Sequence, residues 1–468
     1  MNPPPAAVVT VRHATQSALV PVLERSRATG RVPRIAVAFS GGRDSTVLLD
    51  ALAALAPAMN FTVVAVHVHH GLSPQADAWA AACTAACAGR GVPLAIRRIE
   101  VARAPGESLE ATARTARYDA LFAAAADADA IALAHHADDQ AETLLLQLMR
   151  GAGPRGLAAM PAMRSSGTGP VLLRPFLALP GAAIEACAIA SGLRWIDDES
   201  NADTRLKRNL LRHEIAPRLA AGFPGYPQTL VRAAELQAEA ALLADDLAAL
   251  DAATALHDGE TGPTLDRAVL AGLSAPRARN LLRWFLRRHD LPAPSAARLE
   301  AMMTQLAGAK PDARVRLSHA SVEIGIHRGR IVVHAPPSAA FAVPWRGEAT
   351  ILLPHGTLDF APATGRGIAA ATLARAPVTL RSRSGGEMLR LGPRRPRRPV
   401  ADLLQQAGVS WWSRAALPFV WCGDDLVAIP GVGVDAAFQA GAGEPGLELH
   451  WRAQRSTGGD SSGDDRKA

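Results

Sequence analysis

Short apolar segments and amphipathic helical segments alternate over the first third of the chain, and this alternation limits the fold more than any other feature. It is typical of a parallel sheet covered by helices on both faces, so it predicts an α/β fold. Such sheets bind ligands outside the carboxyl ends of their strands. The predicted strands are residues 35–39, 61–68, 94–99 and 130–133, and the predicted helices are residues 46–55, 79–88, 108–126 and 138–149.

The remaining residues change in character along the chain. A mainly helical region is predicted to end in a hairpin with Gly329 in its turn. Closely spaced prolines then indicate a linker, and short strands with one helix at 399–407 indicate a small α+β domain. The predicted divisions are a parallel-sheet domain at 1–222, a mainly helical domain at 223–335, a linker at 336–374, a small α+β domain at 375–455 and a disordered tail at 456–468.

The basic side chains are nearly all arginine, with 47 arginines and three lysines, and the formal net charge is +7. An excess of basic over acidic residues favours a partner rich in phosphate, such as a nucleic acid. Abundant arginine together with abundant alanine equally indicates a GC-rich genome. Composition alone therefore supports a nucleic-acid partner and a codon bias equally.

The four cysteines form no C-x-x-C motif, which argues against a zinc ribbon, and in a chain of this length they predict buried thiols in a reducing compartment. No uncharged apolar run reaches the roughly 18 residues that a membrane span needs. The first residues lack the apolar segment of a signal peptide. We therefore expect a cytoplasmic protein without a membrane contact.

A glycine-rich loop follows the first predicted strand and precedes a helix. Its glycines let backbone N–H groups approach an anion, the helix N-terminus adds partial positive charge, and two serine hydroxyls add donors. An aspartate fits an anion site only when a metal joins it to the phosphates. The alternative is a glycine turn with a serine helix cap. The loop residues are Ser40, Gly41, Gly42, Arg43, Asp44 and Ser45.

Two carboxylates open the helix after the fourth predicted strand. Asp139 and Glu142 are three residues apart, so they share one helical face, and they come shortly after His135 and His136. Such a group can bind a metal or a cationic substrate. The alternative is structural, because acidic residues in a first helical turn also favour the helix dipole.

Three groups of arginines are candidates for binding a carboxylate or phosphates, because guanidinium groups bind both with paired hydrogen bonds. The plain alternative for each group is a solvated basic surface. Arg114 and Arg117 lie on a predicted helix, and the second group follows a polar stretch at 197–204. The second group contains Arg205, Lys207, Arg208, Arg212 and Arg218, and the third contains Arg394, Arg395, Arg397 and Arg398.

The loop sequence SGGRDS (40–45) resembles the phosphate-binding loop of the PP-loop ATP pyrophosphatases, which cleave ATP between its α and β phosphates. With four further motifs the chain resembles one branch of that group, the tRNA(Ile)-lysidine synthases. The resemblance is dense in the N-terminal half and thin near the C-terminus, where arginines replace the usual lysines. The further motifs are HHGLSPQAD (69–77), ATARTARY (111–118), AHHADDQAETLLLQLMRGAGPRGLAAM (134–160) and DESNADTRLKRNLLRHEIAPRL (198–219).

The resemblance implies a ligase that joins free lysine to the wobble cytidine of the isoleucine tRNA with a CAU anticodon. It also implies ATP bound by the 40–45 loop and magnesium near Asp44. Asp139 and Glu142 would hold the lysine ammonium or take its proton, and Arg117 would hold the lysine carboxylate. The resemblance leaves open whether the protein forms a homodimer. The implied tRNA contacts are Arg205, Arg208, Arg212, Arg394, Arg395, Arg397 and Arg398.

Two other functions stay open. A PP-loop tRNA thiolase needs cysteines that carry sulfur or bind a cluster, and we expect Cys83 and Cys87 on a helix away from the strand ends. A non-catalytic RNA-binding protein would keep only a degenerate loop, whereas this loop is intact and is accompanied by Asp139 and Glu142.

Overall fold

The computed structural model forms two compact units that divide between Ala244 and Asp245. Residues 198–202 of the predicted polar stretch and the predicted tail at 456–468 lie outside the described residues. In the part of the chain that is described, no helix combines the length and the apolar character that crossing a membrane requires. The structure describes residues 4–69, 71, 73–100, 109–165, 167, 169–197, 203–259, 262–309, 315–336 and 339–453.

The first unit contains a six-stranded sheet whose strands are parallel except for a short antiparallel strand at one edge. The predicted α/β fold is confirmed, and the four predicted strands fall within one residue of those observed. Their order in the sheet is β3-β2-β1-β4-β6-β5. The strands are β1 Arg34–Ala38, β2 Thr62–His69, β3 Leu94–Arg98, β4 Ala130–Ala132, β5 Met163–Arg164 and β6 Val171–Leu173.

Helices cover both faces of this sheet, as the continuous apolar character of its strands requires. Ile35 and Val37 of β1 face one apolar core, whereas Ala36 between them faces a second core that includes Leu121. The first helix was not predicted. The helices are α1 Ala6–Arg27, α2 Arg43–Met59, α3 Ala76–Ala88, α4 Leu109–Ala124, α5 Ala137–Met149, α6 Pro154–Leu157, α7 Gly181–Ala190, α8 Lys207–Leu210, the π-helical turn Leu211–Ile215, α9 Ala216–Gly222 and α10 Tyr226–Ala255.

The second unit begins with helices that pack on an antiparallel sheet of order β7-β8-β11-β10-β9. The predicted hairpin is confirmed, because β10 and β11 pair across the turn that contains Gly329. Phe285 and Leu299 of the helices share one core with Ile324 of the sheet. The elements are β7 Leu256–His257, β8 Thr264–Asp266, α11 Arg267–Gly272, α12 Ala275–Arg288, α13 Ala296–Gly308, β9 Arg316–His319, β10 Val322–His327 and β11 Arg330–His334.

The last part of the second unit is built from two antiparallel sheets and a short two-stranded pair. The predicted helix near 399–407 is confirmed as α15, which begins after Pro399. The elements are β12 Ala342–Trp345, β13 Thr350–Leu353, β14 Gly356–Thr364, β15 Ile368–Ala369, α14 Ala370–Leu373, β16 Val378–Arg381, β17 Met388–Leu389, β18 Arg398–Pro399, α15 Val400–Gln406, the 3-10 turn Ser413–Ala415, β19 Phe419–Cys422, β20 Asp425–Ile429, β21 Gly433–Val434 and β22 Pro445–Ala453.

The expected linker at 336–374 is instead part of this fold. β12 pairs with β16, and β14 pairs with β22 along its whole length. The prolines misled the prediction, because Pro344 lies in β12, an edge strand, where a missing N–H is tolerated. In β14, Leu358 and Phe360 point inward with less buried residues between them, which is ordinary strand alternation.

Candidate active site

The glycine-rich loop connects β1 to α2 and is held by its own hydrogen bonds. Gly42 caps α2, which begins at Arg43. The hydroxyl oxygens of Ser40 and Ser45 lie 3.1 Å apart, and the Gly42 N–H donates to Ser40 Oγ over 3.3 Å. Ser45 donates to the Gly42 carbonyl over 3.0 Å. This arrangement places the positive end of α2 at the carboxyl end of β1, where an anion is favoured.

Gly41 requires glycine for two independent reasons. Its φ is +84°, a left-handed value that residues with a Cβ rarely adopt. A Cβ on Gly41 would also lie 2.6 Å from Ile196 Cδ1 and 2.9 Å from Cys83 Sγ. The Ile196 N–H donates to the Gly41 carbonyl over 2.9 Å. The backbone of the loop is therefore supported from behind by residues that the sequence motifs did not indicate.

A cavity of about 620 Å³ opens at the carboxyl ends of β1, β2 and β4, where the alternating pattern placed the ligand site. Its volume is in the range of small-molecule binding sites. Trp79 and Trp195 contribute aromatic surface, and sequence analysis missed both because they lie outside the glycine, acidic and arginine patterns. The lining also includes Ser40, Gly42, Arg43, Asp44, Ser45, Arg117, His135, Asp139 and Arg212.

Asp44 lies at the edge of this cavity beside two cationic groups. Arg43 Nε donates to Asp44 Oδ1 over 2.9 Å, and His136 Nε2 lies 3.6 Å from Asp44 Oδ2. Burial raises the pKa of Asp44, but His136 and Arg43 together lower it more, so the net pKa lies below its usual value. Asp44 is therefore ionised at neutral pH.

Magnesium binds through one or two carboxylates together with substrate phosphates. Asp44 fits that role, because its ionised carboxylate adjoins the loop expected to hold phosphates. Elsewhere, the described residues include no group of three or more histidine, cysteine, aspartate or glutamate side chains placed to hold a metal ion. His67 and His69 are therefore not part of such a group among the described residues. His67 Nδ1 instead lies 2.9 Å from the Phe39 carbonyl oxygen.

His136 is surrounded by carboxylates. Its Nδ1 lies 3.1 Å from Asp138 Oδ2, and its Nε2 lies 3.5 Å from Asp139 Oδ2. Burial lowers the pKa of His136, but the contacts with Asp138, Asp44 and Asp139 outweigh burial and raise it to about 10. The imidazolium is therefore a fixed positive charge that joins the loop to the start of α5.

Asp139 and Glu142 are both bound by arginines of the 207–215 segment. Arg208 Nε donates to Glu142 Oε2 over 2.8 Å, and Arg212 Nε donates to Glu142 Oε1 over 2.7 Å. Arg212 Nη2 also reaches Asp139 Oδ1 at 2.9 Å. Arg205 does not take part in this cluster, because it is exposed and pairs with Asp203 two residues away. The structure thus brings two predicted tRNA contacts to the predicted lysine-binding carboxylates.

The Arg114 and Arg117 pair divides between two environments. Arg117 is exposed and lines the cavity, whereas Arg114 lies deeper, with its Nε buried and without a hydrogen-bond partner. Burial raises the pKa of Tyr118 between them, but Arg114, Arg174 and Arg117 together lower it more. Burial also lowers the pKa of His135, and nearby arginines add to this effect, so His135 is neutral beside an ionised Asp139.

Comparison with known proteins gives the family. The PP-loop domain model matches residues 15–219, the TilS substrate binding domain model matches 265–332, and the TilS substrate C-terminal domain model matches 378–451. The tRNA(Ile)-lysidine synthase of Nitrosomonas europaea is 41% identical over 425 residues, which cover 89% of this chain and 92% of that protein. Its counterpart from Azoarcus sp. is 43% identical, covering 91% of this chain and 93% of that protein.

The chain belongs to the tRNA(Ile)-lysidine synthase family. The synthase of Chromobacterium violaceum is likewise 43% identical, over 90% of this chain and 95% of that protein. Among solved structures, the U34-tRNA thiolase NcsA from Methanococcus maripaludis covers 50% of this chain and 80% of that chain, with 18% identity and a TM-score of 0.40. That likeness is too weak to support a conclusion about function.

The predicted C-terminal tRNA contacts lie within the matched TilS substrate C-terminal domain. Arg394, Arg395 and Arg397 are exposed, and Arg398 donates to Gln406 Oε1 over 2.9 Å. On α12, Arg277 pairs with Asp251 of α10. Trp411 and Trp412 pack against each other and against His334, on which Trp412 stacks with ring centroids 4.2 Å apart.

The cysteine prediction was wrong on position, although the four cysteines are free and buried as expected. Cys83 does not lie away from the strand ends, because its sulfur is 3.5 Å from His67 Nδ1 and packs beneath Gly41. Helix α3 runs beside the loop, a relationship that helical spacing alone does not reveal. Burial raises the pKa of Cys83 to about 12, so the Cys83 side chain is a neutral, unreactive thiol in this protein.

Proposed function

We propose that this protein forms lysidine by joining lysine to the wobble cytidine of the isoleucine tRNA with a CAU anticodon. One observation carries the proposal: the phosphate-type loop, the anionic Asp139 and the cationic Arg117 line the same cavity. A triphosphate, an ammonium and a carboxylate can therefore meet in one site. The names of the matched relatives and of the matched TilS domains support the same reaction.

In the first step, the cytidine O2 forms a bond to the α phosphorus of ATP, and the bond to the bridging oxygen breaks to release pyrophosphate. Negative charge grows on the phosphate oxygens, so the loop N–H groups, the start of α2 and Arg43 would stabilise it. Asp44 would hold the magnesium ion, whose contribution when bound is to neutralise phosphate charge.

In the second step, the lysine ε-nitrogen forms a bond to C2 of the cytidine, and the C2–O bond breaks so that AMP leaves with the oxygen. Asp139 lines the cavity and would hold the ammonium and receive its proton. Glu142 lies behind, bound to Arg208 and Arg212, and would fix their positions. Arg117 would bind the lysine carboxylate through its guanidinium.

The deciding experiment incubates the pure protein with ATP, magnesium, labelled lysine and the CAU-anticodon tRNA, and then analyses the nucleosides by mass spectrometry. We expect a cytidine that has gained lysine and lost one water. A product with sulfur in place of oxygen would identify a thiolase, and an unmodified tRNA without pyrophosphate release would identify a non-catalytic RNA-binding protein.

Three variants test the assigned residues under the same conditions. Asp44→Ala, Asp139→Ala and Glu142→Ala should each abolish lysidine formation while the circular dichroism spectrum stays that of the wild type. Wild-type product levels from any one variant would remove that residue from the site. Asp127→Ala is the matched control, because Asp127 is an exposed carboxylate of the same unit whose ion pair among the described residues is with the half-buried Arg34.

The proposal extends to the surroundings of the reaction. Residues 1–222 would catalyse it, while 223–335 and the C-terminal part would bind the tRNA, with Arg394, Arg395, Arg397 and Arg398 contacting phosphates. The four free, buried cysteines agree with a cytoplasmic reaction. The homodimer stays a prediction, which light scattering of the protein with and without tRNA would decide.

A further inference from the structure

Two residues from distant parts of the chain pack against Gly41 of the phosphate-type loop, and one of them, Ile196, also lines the cavity. Ile196 lies in the segment between α7 and α8, and Cys83 lies on α3. Their side chains fill the space where a Cβ of Gly41 would stand, at 2.6 Å for Ile196 Cδ1 and 2.9 Å for Cys83 Sγ. We call Ile196 and Cys83 the supporting pair.

Each member of the supporting pair is fixed by a contact of its own. The Ile196 N–H donates to the Gly41 carbonyl over 2.9 Å, so its backbone and side chain both contact the loop. Cys83 is 1% exposed, and its sulfur lies 3.5 Å from His67 Nδ1 of β2. His67 Nδ1 is also 2.9 Å from the carbonyl of Phe39, the residue that enters the loop. The loop therefore contacts β2, α3 and the 195–197 segment at once.

This packing matters because the hydrogen bonds within the loop join Ser40, Gly42 and Ser45, whereas Gly41 has no side chain to anchor it. Gly41 and Gly42 are adjacent, and glycine loses more conformational freedom than any other residue when it is ordered. Backbone N–H groups stabilise phosphate charge best when they are already oriented before the ligand arrives. Side chains that occupy the empty Cβ position of Gly41 restrict its movement without blocking the cavity side of the loop.

We propose that Ile196 and Cys83 are positioning residues that hold Gly41 in its left-handed conformation, so that the loop is ordered for a triphosphate before ATP binds. This inference rests on the proposed function only in taking ATP as the ligand of the loop. It predicts that loosening either side chain weakens ATP binding and leaves the lysine side of the site unchanged.

The cysteines of α3 supply a closely matched pair of variants. Cys83 and Cys87 are both 1% exposed and one helical turn apart, but Cys87 makes no contact with Gly41 that the structure shows. Cys83→Ala and Cys87→Ala each remove one sulfur atom from the same apolar core. We expect the Kd for ATP with magnesium, measured by calorimetry without tRNA or lysine, to rise about tenfold for Cys83→Ala alone, as small displacements of binding groups commonly cost that much.

Ile196 supplies a second test with a conservative rescue. Ile196→Ala should raise the Kd and the KM for ATP about tenfold while the KM for lysine stays within twofold, because Ile196 packs against the loop at Gly41, whereas Arg117 and Asp139 come from α4 and α5. Ile196→Val keeps the branched Cβ and should restore wild-type values. A purely structural role would lower the melting temperature and shift all kinetic constants together.

The outcomes separate this inference from the proposed function. If the wild type forms lysidine but Cys83→Ala and Ile196→Ala bind ATP as tightly as the wild type, the inference fails and the function stands. If the wild type binds ATP without forming lysidine and both variants lose affinity, the function fails and the inference stands. A wild type that does not bind ATP overturns both.

Discussion

The guanidinium of Arg212 binds the carboxylate of Glu142 through two hydrogen bonds, from Nε to Oε1 over 2.7 Å and from Nη2 to Oε2 over 3.0 Å. The carboxylate is almost fully buried, whereas the guanidinium is 38% exposed. The pair therefore joins the 207–215 segment to helix α5. Arg212 belongs to a π-helical turn, a form that is rare and often found at functional sites.

We expect Arg212→Gln to destabilise the first unit by about 1–2 kcal/mol, because a buried carboxylate loses charged donors while Arg208 still satisfies it in part. The partial exposure of Arg212 keeps the loss below that of a fully buried pair. Urea unfolding followed by pulsed hydrogen exchange of β1 and β4 peptides would measure it for this unit alone.

Arg205→Gln is the control for that measurement. Arg205 comes from the same basic run, but it is exposed and pairs only with Asp203 in the adjacent turn. Its replacement should leave unfolding unchanged. Equal destabilisation by the two variants would show that the Arg212–Glu142 contact contributes nothing specific.

The contrast between Arg205 and Arg212 also shows where sequence reasoning ends. The alternating strands gave the parallel sheet and the position of the cavity, because strand and helix periodicity are local properties. The partner of Arg212 is 70 residues away, and no local pattern distinguishes an arginine that binds Glu142 from one that binds solvent. The supporting pair was missed for the same reason, since Gly41 contacts Cys83 and Ile196 only through the tertiary fold.

Acidification should destabilise the first unit through His135. Burial together with nearby arginines holds the folded pKa of His135 well below its ordinary 6.5. Below pH 6.5 the unfolded chain then binds a proton that the folded chain does not, so stability falls as pH falls. Between pH 6.5 and 5 we expect the wild type to lose about 1.5 kcal/mol more than His135→Gln, using about 1.4 kcal/mol per pKa unit.

The same pulsed-exchange measurement across this pH range would check that loss. His13→Gln is the matched control, because His13 is an exposed histidine of α1 in the same unit. It should keep the pH dependence of the wild type. A His135→Gln variant with the wild-type slope would mean that this side chain is not the group that titrates.

Replacing Gly41 by alanine should abolish ATP binding, because the added Cβ meets both left-handed strain and the Ile196 and Cys83 side chains. Gly42→Ala should fold and keep the loop in place, since its Cβ would meet nothing closer than Ser40 Oγ at 3.4 Å. The double variant Gly41→Ala, Ile196→Ala should regain part of the lost affinity, because it removes the closest clash. Calorimetric Kd values for ATP would test this, and no recovery would show that backbone strain and the remaining Cys83 contact explain the loss.

Replacing Arg394, Arg395, Arg397 and Arg398 by glutamine should weaken tRNA binding and leave ATP binding intact. Exposed arginines that contact phosphates release counterions, and each contact adds about 0.7–0.9 to the slope of log K against log salt. For four contacts we therefore expect that slope to fall by about 3, as measured by filter binding over a salt series. Arg366→Gln and Arg452→Gln are the controls, since these exposed arginines pair with Glu448 and Asp359. An unchanged slope in the quadruple variant would show that the tRNA contacts lie elsewhere. An equal fall in the control variants would show that the slope depends only on the net charge of the protein.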